Sequence, residues 1–231
     1  KFSQADQINI IRDAEIENLL KDISKILVKE TELEKDNLKF FIDNKKYINA
    51  LVTPEKKFFF TTELLLKSKE IDDLAGVISH EIGHIIGGHF QKRQMAMEKS
   101  SAINILSSIL AIGAIVGGAY DAGSAILMGG QQLSGAKLLS FSRSQESLAD
   151  QTAIRLLKKN GFSLQGLINI FEEIQRNEKI KKVNPYFLTH PLSTERIRNI
   201  KLNFDNQKTK EYKKLRYRFN IAKAKERKRE V

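Results

Sequence analysis

The stretch LAGVISHEIGHIIGGHF, residues 74–90, holds three of the chain's four histidines. On a helix, residues four apart stand one turn apart on the same face. His80 and His84 can therefore aim two imidazoles at one ion, with Glu81 beside the first. This is the HExxH arrangement: two zinc ligands and a general base for hydrolysis. The same letters also fit a buried helix whose histidines bond locally, and a bare pentamer arises by chance. The flanks favour the metal. Leu74, Val77, Ile78 and Ile82 give an apolar side, Asp72 and Asp73 suit a helix start, and Gly83 leaves room near an ion. Gly87 and Gly88 weaken the helix just after the second histidine.

A catalytic zinc needs a third protein ligand. His89 is the local candidate, but the HExxHxxGxxH pattern puts its third histidine at position 90, where this chain has Phe90. His89 is better placed as a surface group or beside the ligands. A later segment, SQESLAD, offers Glu146 and, four residues on, Asp150 on the same helix face. Taken alone, the two read as an exposed acidic pair on a solvated helix. Beside an HExxH helix, Glu146 becomes the third ligand and Asp150 the acceptor for the free ring N–H of a ligand histidine, which fixes its tautomer.

The rest of the chain supplies a frame for such a site. At 231 residues, 41% hydrophobic and 29% charged, it has the make-up of a soluble fold with one main core. There is no cysteine, so disulfides and thiolate zinc sites are excluded. Residues 10–28 show the three-and-four spacing of an amphipathic helix. LKFFID (38–43), YINALVT (47–53) and KFFFTTEL (57–64) read as strands. The segments 141–162 and 163–179 read as helices, the first stopping at Asn160-Gly161, and Ser193 suits a helix cap after a loop bracketed by Pro185 and Pro191. The expected class is α+β: a predominantly helical zincin-type domain with a small three-stranded sheet beside the HExxH helix. Residues 1–204 form the expected catalytic domain, and 205–231 a basic C-terminal helix. Residues 102–119, AINILSSILAIGAIVGGA, are the most apolar run. They are short for a span and carry Asn104, Ser107, Ser108 and three glycines, so they read as a buried or lid-like helix ahead of a membrane-surface contact.

The net charge of +11 is uneven: residues 207–231 carry eleven Lys or Arg against three Glu. Such a tail can attract nucleic acid or acidic lipid without specificity. It reads equally as a solvated helix, with Tyr212, Leu215, Phe219 and Ala222 along one side. No specific nucleic-acid partner is expected.

Three motifs in order, HEIGH (80–84), ESLAD (146–150) and THPLSTERI (189–197), resemble the gluzincin metallopeptidase family numbered 48. YINALVTPEKKFFFTTELL (47–65) followed by DDLAGVISHEIGH is most similar to its periplasmic subgroup of β-barrel assembly-enhancing proteases. The resemblance runs from about Ile16 to Phe219. It implies one Zn2+ per chain on His80, His84 and Glu146, with Glu81 as base. It also implies a site role for His190, either held near the metal in a latent state or stabilising the oxyanion. For Arg196 it implies contact with substrate or tetrahedral intermediate. The expected activity is ATP-independent cleavage of unfolded or misassembled proteins by a periplasmic zinc endopeptidase, with outer-membrane assembly machinery as partner; the apolar run and the basic tail add a peripheral membrane contact as a further expected partner. No GxxxxGK[ST] loop is present. An extended substrate is expected to add to the edge of KFFFTTE. Two departures stand out: TPEKKFFF replaces a glycine pair that usually ends that strand, and where the periplasmic members carry helical repeats the sequence stops at one basic helix, which fits either the start of a repeat region that is missing here or a minimal form. A chaperone-like binder with little proteolysis is the alternative, and loss of Glu81 separates the two. The chain starts at Lys1 with no signal-peptide pattern, which fits a mature exported chain or a trimmed one.

Overall fold

A computed structural model describes residues 9–116, 120–180, 190–204 and 209–229. The loop bracketed by Pro185 and Pro191 lies mostly outside them. The chain divides into two compact units, Lys1–Ile86 with Leu148–Val231, and Gly87–Ser147.

In the first unit, α1 (Ala14–Leu27) starts where Asp13 accepts hydrogen bonds from the amides of Glu15 and Ile16. Its buried stripe, Ile16, Leu19, Leu20, Ile23 and Leu27, follows the helical period. The sheet has four strands rather than the expected three: β1 (Ile10–Ile11), β2 (Lys39–Asp43), β3 (Ala50–Val52) and β4 (Lys57–Thr61), in the order β1-β2-β4-β3. Ile10 and Ile11, which continue the helical spacing of α1, instead pair antiparallel with Asp43 and Ile42. Alternation sets the two faces of β2 and β4. Phe40 stacks on Phe58 at 4.8 Å over the core, and Phe41 stacks on Phe59 at 5.2 Å on the other face. The TPEKK segment closes the β3–β4 connection, with Lys56 left-handed at φ 60° and its amide bonded to the Thr53 carbonyl.

β4 lies inside the sheet, parallel to β2 and antiparallel to β3. It therefore has no edge for a substrate, contrary to expectation; β3 is the outer strand on that side. β4 also ends earlier than expected, because the Thr61 side chain caps a short helix, α2 (Thr62–Lys67).

The HExxH helix, α3 (Ile71–Ile86), is buried along Ile71–His84. A helix enclosed on all sides needs close neighbours, and glycine provides the approach. A Cβ on Gly166 at the start of α6 (Gln165–Ile180) would lie 2.0 Å from the Asp72 carbonyl oxygen. The same contact is tied by Asp72 Oδ1, which accepts from the Ser163 amide at 2.7 Å. Gly166→Ala is expected to lower unfolding free energy by about 1–3 kcal/mol, read by urea denaturation, because backbone rather than a flexible side chain must yield.

α7 (Thr194–Leu202) is capped by Ser193, as the sequence indicates. The basic segment forms α8 (Lys213–Arg229), with Leu215, Phe219 and Ala222 buried. Much of its charge is spent within the chain. Arg216 reaches Glu70 and Asp72, Arg218 reaches Asp22, Lys225 and Arg229 both reach Asp13, and Lys223 donates to the Ser68 carbonyl. Burial pushes the Asp13 carboxyl up, but Lys225, the Ile16 amide and Arg229 together outweigh it and hold it below its usual range. A depressed folded pKa contributes stability that is present above the unfolded value and lost as pH falls through the folded one. Asp13→Asn is thus expected to be less stable than wild type at neutral pH, with the deficit shrinking below roughly pH 4. Unfolding curves at the two pH values check this.

In the second unit, α4 (His89–Val116) follows Gly88, whose φ of 60° ends α3. α5 (Tyr120–Asn160) begins there and ends at Gly161, φ 79°, the predicted stop. α5 starts well before the predicted 141–162 segment. The apolar run is not buried as expected: Ile105, Leu106, Ile109, Leu110 and Ile112 are each 54–62% exposed. Among the described residues no helix is long and apolar enough to cross a membrane.

Candidate metal centre

α3 carries His80 and His84 one turn apart, and their Nε2 atoms lie 3.1 Å from each other. The other nitrogen of His80, Nδ1, lies 2.9 Å from Asp150 Oδ1. That contact leaves Nε2 as the nitrogen facing His84. His190, just before α7, places Nδ1 3.4 Å from His80 Nε2 and Nε2 3.5 Å from Glu81 Oε1. Glu146, one turn before Asp150 on α5, joins them. His80, His84, Glu146 and His190 are all buried, and each offers a ligand atom within 4.8 Å of the others. Three imidazoles and a carboxylate out of water form a donor set suited to a zinc-sized cation. His89 is also buried, but it is not part of that cluster; its carbonyl accepts from Gln145 Nε2.

Arg196 is held by Asp150. Its side chain is buried and turned to Asp150, with Nε at 2.6 Å from Oδ2 and a terminal nitrogen at 2.8 Å from Oδ1. A further nitrogen donates to the Pro191 carbonyl at 3.0 Å, and the guanidinium lies 4.8 Å from the Phe171 ring. This is the bidentate geometry of a fixed ion pair. Burial pushes the Asp150 carboxyl up, but the Arg196 charge and hydrogen bonds, with His80, more than offset it and hold it below its ordinary value. An ionised Asp150 is what the His80 ring N–H requires as its acceptor.

Phe171 is the site-lining residue that sequence reasoning missed. It meets His80 edge-on at 6.1 Å and lies under Arg196. In the sequence it is one apolar residue in an amphipathic helix. Gly83 is where α3 meets α5: its Cβ would lie 2.7 Å from the Ala149 carbonyl oxygen, which allows the ESLAD turn to approach the histidines.

The profile of Peptidase family M48 matches residues 12–203. The chain belongs to this family. Among curated proteins it is 34% identical to the metalloprotease YcaL of Escherichia coli over 56% of this chain and 48% of the relative. It is 28% identical to the β-barrel assembly-enhancing protease of Escherichia coli over 81% of this chain and 39% of the relative. It is also 28% identical to the mitochondrial metalloendopeptidase OMA1 of Saccharomyces cerevisiae, over 66% and 42%. The chain thus spans less than half the length of these relatives. The family bears out the expected metallopeptidase class, and this chain's buried three-histidine, one-glutamate cluster is consistent with an M48 zinc protease.

Proposed function

We propose that this M48 metallopeptidase is a zinc endopeptidase that cleaves unfolded or misassembled proteins without ATP. The observation that carries the reading is the buried cluster of four donors with Glu81 against one of them. His80, His84 and Glu146 would hold one zinc, whose chemistry is Lewis acidity toward a carbonyl oxygen and a water. Glu81 is the base: it takes the proton of the attacking water and hands it to the leaving nitrogen. Asp150 orients His80, and Arg196 keeps Asp150 ionised, so Arg196 is a positioning residue. His190 faces both the ligand cluster and Glu81. At rest it closes the position a substrate needs, and it must swing away or turn donor when substrate enters. The outer edge of β3, next to β4 on one side only, is the place for an extended substrate. A fold that reads extended backbone favours chains already unfolded. The names of the β-barrel assembly-enhancing relatives support a role in β-barrel protein assembly, and the motif resemblance to their subgroup supports a periplasmic, outer-membrane quality-control setting for it.

The test is digestion of casein and of a compact native protein, without nucleotide, by the zinc-loaded chain. Cleavage of casein alone is expected. A zinc-loaded chain that binds casein but never cleaves it, with or without His190→Ala, would replace the peptidase by a client binder.

A further inference from the structure

The α4–α5 hairpin is inverted relative to a helix pair made for water. On α4, Ser100 and Ala111 are buried, and Ile103, Asn104, Ser107 and Ser108 are half-buried. These positions share one helix face. Ile105, Leu106, Ile109, Leu110 and Ile112 share the opposite one and stand exposed. Where the two helices meet, small residues face each other, since a Cβ on Gly130 would fall 2.1 Å from Ser107 Oγ. α5 in turn exposes Ile126, Leu127, Met128 and Leu133. Small residues between helices and large aliphatic ones outside is the arrangement of helices whose outer medium is itself apolar. The hydroxyls fit that medium. Ser101, Ser107 and Ser108 donate to the carbonyls of Met97, Ile103 and Asn104 on their own helix, so none needs an outside partner.

Charge points the same way. Between Ser100 and Ala136 the sequence has one charged residue, Asp121. At the open end of the hairpin stand exposed Lys92, Arg93 and Lys99 on α4 and Arg143 on α5, with Glu98 among them. A second copy of the chain could cover the aliphatic face, but its own collar has the same sign. An unfolded client supplies no fixed counter-charge. An anionic lipid surface supplies both an apolar layer and negative headgroups. The stretch 102–116 is about 22 Å long at helical rise, short of the ~30 Å of a bilayer core.

We propose that the α4–α5 hairpin lies in the surface of an anionic bilayer. Its aliphatic face sits in the outer acyl layer, with Lys92, Arg93, Lys99 and Arg143 at the headgroups. The hairpin thereby holds the peptidase at the membrane without spanning it.

The chain contains no tryptophan, so Ile109→Trp gives one indole at the centre of the face. The full chain is mixed with vesicles of phosphatidylcholine containing phosphatidylglycerol, then floated. The expected result is flotation, a blue-shifted indole quenched by brominated lipid, and weaker binding to phosphatidylcholine alone. Leu106→Asp with Ile109→Asp, both at exposed positions, should lower partitioning at least about tenfold with the circular dichroism unchanged. No flotation and no quenching would overturn the proposal. A concentration-dependent dimer in place of vesicle binding would overturn it in favour of a second copy. Unchanged flotation of the double variant would move the contact off this face. No arm reads proteolysis, so the outcome is independent of the peptidase reading.

Discussion

Glu81→Gln is expected to cut peptide-bond cleavage by about 10²–10⁴-fold while leaving zinc content and unfolding free energy close to wild type. Glu81 is buried on α3 between His80 and His84, and its carboxylate faces His190. Gln keeps the shape and can still hydrogen-bond, but it cannot take a proton. The change therefore isolates base chemistry from packing. Initial rates on casein, paired with zinc per chain for both proteins, make the comparison. Equal rates would remove Glu81 from the mechanism. Loss of zinc along with activity would mean that it acts as a ligand.

Asp150→Asn is expected to be the most damaging single change outside the metal ligands. Asp150 is buried, holds Arg196 through two nitrogens and faces His80 Nδ1. Removing its charge takes the carboxylate from a buried guanidinium, and breaking a buried ion pair typically costs about 3–5 kcal/mol. It also removes the group that orients His80, and such changes weaken metal binding about 10–100-fold. Because the folded Asp150 carboxyl is held below its ordinary value, its contribution to stability is present at neutral pH and lost as pH falls through that lowered value. The two effects can be separated. Asp150→Asn with Arg196→Leu should regain part of the lost stability, since no buried guanidinium is left without its carboxylate, yet keep the weakened zinc affinity. Recovery of both would assign Asp150 to packing alone.

What the sequence made legible is local. The four-residue spacing of His80 and His84, the four-residue spacing of Glu146 and Asp150, the Ser193 cap and the Asn160-Gly161 stop each depend on neighbours within a turn. What it hid is non-local. β1 is two residues long, and only its pairing with Ile42 and Asp43 distinguishes it from the start of α1. Strand order places β4 inside the sheet, and no alternation pattern encodes order. The pairing of Arg196 was hidden because its sequence neighbours give no hint of Asp150, 46 residues away. The tail reads as free positive charge because its counter-ions, Asp13, Asp22, Glu70 and Asp72, lie far up the chain. The hydropathy of α4 was plain, but hydropathy does not say which side of a helix meets solvent.

The proposed function stands on His80, His84 and Glu146 holding one catalytic zinc. Native mass spectrometry of the chain, after zinc loading and dialysis against metal-free buffer, tests it most directly, with Glu146→Ala alongside. The account predicts one zinc per wild-type chain and a large loss of zinc in the variant. A wild-type chain that keeps no zinc, or a variant that keeps as much as wild type, would contradict it.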